Sequence, residues 1–115
     1  MGRVYHSNYF VWLDMARTEY LRSKGISYKE MEAQGIFFVV AETSCKYVNS
    51  LGFDDKVSIE TWLKEIKKAS VEFEYKVYNK DTKLLIAEAY TKLAAVDKSG
   101  KVIPMPEKVL ELLGK

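Results

Sequence analysis

Cysteine occurs once, at Cys45, histidine once, at His6, and proline twice, at Pro104 and Pro106. A single thiol cannot close an internal disulfide, which points to a reducing, cytoplasmic setting rather than a disulfide scaffold. No metal-ligand cluster, Walker loop or dinucleotide glycine fingerprint is present. No apolar run approaches the roughly 20 residues a membrane span needs, and no charged start with an apolar core marks a signal peptide. Charge of one sign is also lacking: 18 basic and 16 acidic residues are interspersed, for a net +2. That balance leaves no concentrated basic face of the kind nucleic acid requires.

Apolar and aromatic residues are plentiful. With 48% apolar and 30% charged residues over 115 positions, the composition is that of one globular domain spanning 1–115.

The segment Asn8 to Lys24 reads as a helix of four to five turns. Ser7 or Asn8 suits its N-cap, Arg22 and Lys24 suit the dipole of its last turn, and Gly25 suits the left-handed residue that ends it. Tyr9, Phe10, Val11, Trp12, Leu13, Met15 and Ala16 circle its first two turns, so the N-terminal half is expected to be buried on nearly all sides. Ser27 and Glu30 have the spacing of a capping box, which opens a short second helix that Gly35 ends.

From Ile36 the chain changes character. Ile36–Val48, Val57–Ile66, Val71–Tyr78 and Leu84–Val96 are rich in β-branched and aromatic residues, and the third alternates strictly with period two. Lys98-Ser99-Gly100-Lys101 closes a hairpin into Val102-Ile103, and Pro106 suits the first turn of a terminal helix, Glu107–Leu113. A helix followed by a run of antiparallel strands is an α+β fold, most simply a curved sheet wrapped round one long central helix.

Gly2-Arg3-Val4-Tyr5-His6-Ser7-Asn8-Tyr9, followed by Trp12-Leu13-Asp14-Met15-Ala16-Arg17, resembles the opening of the 4-hydroxybenzoyl-CoA thioesterase and YbgC-like acyl-CoA thioesterase family. Its pattern reads D-x-x-G-x-V-Y-H-x-N-Y, then W-[FL]-[ED]-x-A-R. The likeness continues more loosely through Leu21–Gly25, Tyr47, Asp54-Asp55 and the strand ending near Asp97. The resemblance implies a hotdog fold, assembled as a homodimer or homotetramer, with acyl-CoA as substrate and no metal or redox cofactor. It implies an active site at a subunit interface near the N-terminus of the central helix, where free N–H groups polarise a thioester carbonyl. The alternative is a non-catalytic module of the same fold that binds acyl-CoA or an acyl carrier.

The family's catalytic carboxylate is the aspartate that opens D-x-x-G. With Gly2 as the motif glycine it falls three places upstream, before Met1, so the expectation is an N-terminally short chain lacking its first strand and its acid. On that expectation an upstream extension restores both; with a start at Met1, Asp14 is the best remaining carboxylate. Within the chain, the resemblance assigns catalysis to His6, whose pKa near 6.5 suits proton transfer, and to the backbone N–H of Tyr5. Asp14 matches the [ED] position; pairing with Arg17 at i+3 is its structural reading, and it is the next carboxylate in line for catalysis. Val4, Asn8 and Tyr9 are the substrate-binding positions of the motif, with Asn8 also suited to capping. Lys64, Lys67 and Lys68, around a turn between strands, face two readings: a contact for the CoA phosphates, or a solvated charged turn. Cys45, with no accompanying His-Asn pair, reads as a small hydrophobe in a strand.

Overall fold

The computed structural model describes residues 6–52 and 55–114 and, within the first helix, the side chains at position 9 and from 11 onward. Helix α1 (His6–Ser23) and helix α2 (Tyr28–Ala33) precede four long strands, β1 (Phe37–Tyr47), β2 (Val57–Ile66), β3 (Ser70–Asn79) and β4 (Leu85–Val96). A two-residue strand, β5 (Val102–Ile103), and helix α3 (Glu107–Leu113) complete the order. The strands form one antiparallel sheet in the order β1-β4-β3-β2, with β5 beside β4. This is the hotdog architecture, with α1 laid against the inner face of the sheet.

The helix ends follow the local chemistry of the sequence. Gly25 and Gly35 adopt φ of +86° and +81°, the left-handed conformation that only glycine takes without strain. Ser27 caps α2, its side chain accepting from the Glu30 N–H.

Along α1 the buried side chains recur every fourth residue: Tyr9, Leu13, Arg17 and Leu21 are each 4% exposed or less. A row with that spacing lies along one helix face. Its seat is the inner row of the sheet, Phe73, Tyr75 and Val77 of β3 and Ala87, Ala89 and Leu93 of β4, all buried. Small side chains at Ala87 and Ala89 leave room for the helix at the centre. Burying a leucine such as Leu13 contributes about 1.5–3 kcal/mol.

One expectation is corrected here. The N-terminal half of α1 is not covered on all sides: Val11 and Met15 are 56% and 61% exposed, because a single sheet covers only one face of the helix. The period-two alternation of β3 is present, with Val71, Phe73, Tyr75 and Val77 all buried on one face.

The β1–β4 register shifts between Val40 and Glu42, and the β2–β3 register between Leu63 and Glu65. Such bulges bend and twist a sheet, which suits one that curves over a helix. The first also reverses the parity of β1. Phe38 and Val40 face α1 before it, and Thr43, Cys45 and Tyr47 face α1 after it.

Candidate active site

The buried row of α1 contains one charged member, Arg17, and its side chain is only 4% exposed. A guanidinium there must be paired and hydrogen-bonded on all sides. It is: it forms an ion pair with Asp14 one turn earlier, donates through Nε to the Tyr28 hydroxyl at 3.3 Å, and donates to the Tyr75 hydroxyl at 3.4 Å. The Tyr75 hydroxyl also shares a 2.6 Å hydrogen bond with Thr91 Oγ1 of β4. One polar chain thus ties α1, α2, β3 and β4 together through the core. Burial raises the Tyr75 phenol, so it stays protonated and available as a donor.

Asp14 sits at the open end of this chain. The expected i+3 pairing with Arg17 is present, but its burial is inverted: Asp14 is 64% exposed and Arg17 is the buried partner. Between α1 and β1 lies a cavity of about 510 Å³ lined by Val11, Leu13, Asp14, Arg17, Val40, Thr43 and Thr91. Its walls are apolar and its polar atoms converge at one end, the usual make-up of a small-molecule site. It begins five residues into α1, within a turn and a half of the helix start.

At that end of the helix, Tyr9 is buried between two rings, with Trp12 at 5.2 Å and Tyr47 at 4.8 Å, both edge-on. Burial raises the Tyr9 phenol, and burial together with the Cys45 thiol pushes Tyr47 up to about 12. The thiol of Cys45 is itself raised by burial, the opposite of what activates a cysteine nucleophile.

The other sequence-designated residues fall as follows. Val4 and Tyr5 lie outside the described residues; His6 and Asn8 are in the opening turn of α1, with their side chains outside the description. Tyr9 faces the core. Lys64, Lys67 and Lys68 surround the β2–β3 turn, beside the end of the sheet where α1 finishes, so one protomer does not bring them to the helix start. Lys64 Nζ lies 5.1 Å from the centre of the Tyr90 ring. Lys67 is held by Glu72 at 3.2 Å and Glu65 at 3.8 Å, and those carboxylates raise its pKa. The Lys68 carbonyl accepts from the Met105 N–H at 2.8 Å. Among the described residues no cluster of three or more His, Cys, Asp and Glu side chains is placed to hold a metal ion, and no helix is long and apolar enough to cross a membrane.

Sequence reasoning missed Val40, Thr43 and Thr91. They share no local motif and meet Asp14 only through strand register; the alternation of Ala87, Ala89, Thr91 and Leu93 with Glu88, Tyr90 and Lys92 is a signal that turns Thr91 inward, whereas the bulge in β1 hides the parity of Thr43.

A long helix on the concave face of one antiparallel sheet, with a part-polar cavity beside its first turns, defines a hotdog protein of the thioesterase type. The profile of the thioesterase-like superfamily matches residues 1–113, and the chain belongs to that family. It is 38% identical over 112 residues to a putative esterase of Aquifex aeolicus, covering 97% of this chain and 85% of that protein. It is 34% identical over 105 residues to the acyl-CoA thioesterase YbgC of Haemophilus influenzae, covering 90% and 75%. Among solved structures, the DHNA-CoA thioesterase of Staphylococcus aureus superposes with a TM-score of 0.85 at 30% identity, covering 90% of this chain and 70% of that one.

Proposed function

We propose that the protein is an acyl-CoA thioesterase, hydrolysing a thioester to free CoA and a carboxylic acid. The observation that carries this is the cavity beside the opening turns of α1, with Asp14 and Arg17 at its polar end, in a chain of the thioesterase-like superfamily. Free N–H groups at the start of α1 stabilise negative charge on the thioester oxygen as it becomes tetrahedral. The attacking water needs a base within hydrogen-bond reach; His6 and the exposed carboxylate of Asp14 are this chain's groups for that role. Arg17 acts behind Asp14, fixing its rotamer from a position the core holds rigid. The acyl group occupies the cavity, against Val11, Val40 and Thr43. Hydrolysis by this route uses water alone and calls for no metal or redox cofactor. The working form is a homo-oligomer, dimer or tetramer, in the cytoplasm; the exposed Val11, Val39, Val40 and Val48 support association.

Incubation with short-chain, long-chain and aromatic acyl-CoAs, with titration of released thiol, tests the reading. Turnover of at least one class is expected. Binding of a CoA analogue by the folded protein with no thiol released from any class would favour a non-catalytic binding module instead.

A further inference from the structure

We infer that Thr91 selects the acyl group: its hydroxyl donates a hydrogen bond into the α1–β1 cavity, to an acceptor oxygen carried by the acyl chain. Guanidinium nitrogens only donate, so the Tyr75 oxygen accepts from Arg17 at 3.4 Å. The single proton of that phenol then needs an acceptor of its own. Tyr75 is 1% exposed, and a buried donor left unpaired is costly. Among the described residues the other hydrogen-bond partner of Tyr75 is Thr91 Oγ1, at 2.6 Å. Tyr75 therefore donates to Thr91, and the direction of the chain is fixed from Arg17 through Tyr75 to Thr91.

That direction leaves the hydroxyl proton of Thr91 unused. Among the described residues, the hydrogen bond with Tyr75 is the one its side chain makes, and there the oxygen is the acceptor. Thr91 is buried, yet it lines the cavity, so a group inside the cavity is what its proton can reach. Each hydroxyl in such a chain polarises the next, and the guanidinium at the head strengthens the donor at the far end. Thr43 stands opposite Thr91 across the β1–β4 ladder and lines the same cavity. It is exposed, and no hydrogen bond among the described residues sets the direction of its hydroxyl.

A hydrocarbon acyl group filling the cavity excludes water and strands the Thr91 proton, whereas an oxo or hydroxyl oxygen accepts it. A site holding a committed polar group rejects a ligand without the partner more strongly than an apolar wall rejects a missing methylene. A carboxylate on the acyl group suits the cavity less, because the carboxylate of Asp14 borders it too. The ligand class is an uncharged oxo-acyl or hydroxyacyl thioester.

This rests on the thioesterase reading, which puts the acyl group in the cavity. The test compares acetoacetyl-CoA with butyryl-CoA, and levulinoyl-CoA and γ-hydroxyvaleryl-CoA with valeryl-CoA. At least one oxygenated ester should exceed its hydrocarbon counterpart about tenfold or more in kcat/KM. Thr91→Val keeps the shape but has no proton to give, and that ratio should fall about tenfold; Thr91→Ser should hold it within about threefold. Tyr75→Phe frees the Thr91 hydroxyl to rotate, so the ratio should fall part of the way, by about threefold. A loss of rate through instability acts on both esters and cancels in the ratio, which separates selection from a structural role. Should Thr91→Val not fold, Tyr75→Phe and Thr91→Ser still decide. A wild type with no preference, or a preference that survives Thr91→Val or Tyr75→Phe unchanged, overturns the role of Thr91. If wild type releases no thiol from any acyl-CoA, the thioesterase reading fails and equilibrium dialysis of the same esters judges Thr91. Tighter binding of an oxygenated ester in wild type, lost in Thr91→Val, supports the donor; equal binding, or none, overturns it.

Discussion

Arg17 of α1 donates a hydrogen bond to the hydroxyl of Tyr75 in β3, 58 positions later in the chain, inside the core. This contact and the Asp14 ion pair beside it join the fold to the candidate chemistry: the same guanidinium that pins the helix to the sheet orients the carboxylate at the cavity.

Replacing Arg17 should therefore cost stability and activity together. Arg17→Met keeps most of the stem volume but leaves the Tyr28 hydroxyl and Asp14 without their partner. The expected loss in urea unfolding is about 1–3 kcal/mol, with a fall in kcat for acyl-CoA hydrolysis. Arg22→Met, which breaks the exposed pair with Glu19, should stay within about 0.5 kcal/mol of wild type. Equal effects of the two substitutions would contradict the assigned role of Arg17.

Cys45 should be slow to react and dispensable. Its thiol is raised by burial, so at pH 8 a smaller fraction is thiolate than in a free cysteine. Reaction with a disulfide reagent should run about tenfold or more slower than with a small free thiol, and Cys45→Ala should keep kcat within about twofold. Loss of activity in Cys45→Ala would reopen a nucleophilic role.

Much of this was legible in the sequence, and the limits were physical. The elements emerge because periodicity and glycine placement act locally: α1, both glycine-ended turns and all four long strands follow from such signals. The pairing of Asp14 with Arg17 is also local, one turn along a helix. Which of the two is buried was not, because it depends on where the sheet lies against the helix. The cavity residues Val40, Thr43 and Thr91 come together only through register, and one extra residue in β1 changes which side chains face inward. The lysines of the β2–β3 turn adjoin the helix start in neither sequence nor space within one chain.

On the outer face of the sheet, Glu72 should govern part of the acid stability. Its carboxylate accepts from the Tyr90 hydroxyl at 2.6 Å and is paired with Lys67, which holds it below its ordinary value of 4.5. A carboxyl whose folded pKa is depressed contributes stability that is present above its unfolded pKa and lost as pH falls through the folded value. The difference in Tm between wild type and Glu72→Gln should thus be full at pH 6–7 and shrink below pH 4.5. A difference that stays constant down to pH 3 would rule this out. The same hydrogen bond pushes the Tyr90 phenol up to about 12, so Tyr90 should show no phenolate absorbance at pH 10.

Filling the cavity should change which acyl groups are accepted. Thr43→Phe places a ring where the acyl group is proposed to lie. Turnover of bulky or aromatic acyl-CoAs should drop by about tenfold or more relative to acetyl-CoA, with melting temperature close to wild type. An unchanged ratio would place the acyl group elsewhere.

Hydrolysis carried out in water enriched in oxygen-18 tests the central claim most directly. With a substrate that is turned over, each equivalent of released thiol should be matched by one equivalent of carboxylic acid carrying a single solvent oxygen. Free CoA without labelled acid, or retention of the intact acyl-CoA by the folded protein, would contradict it.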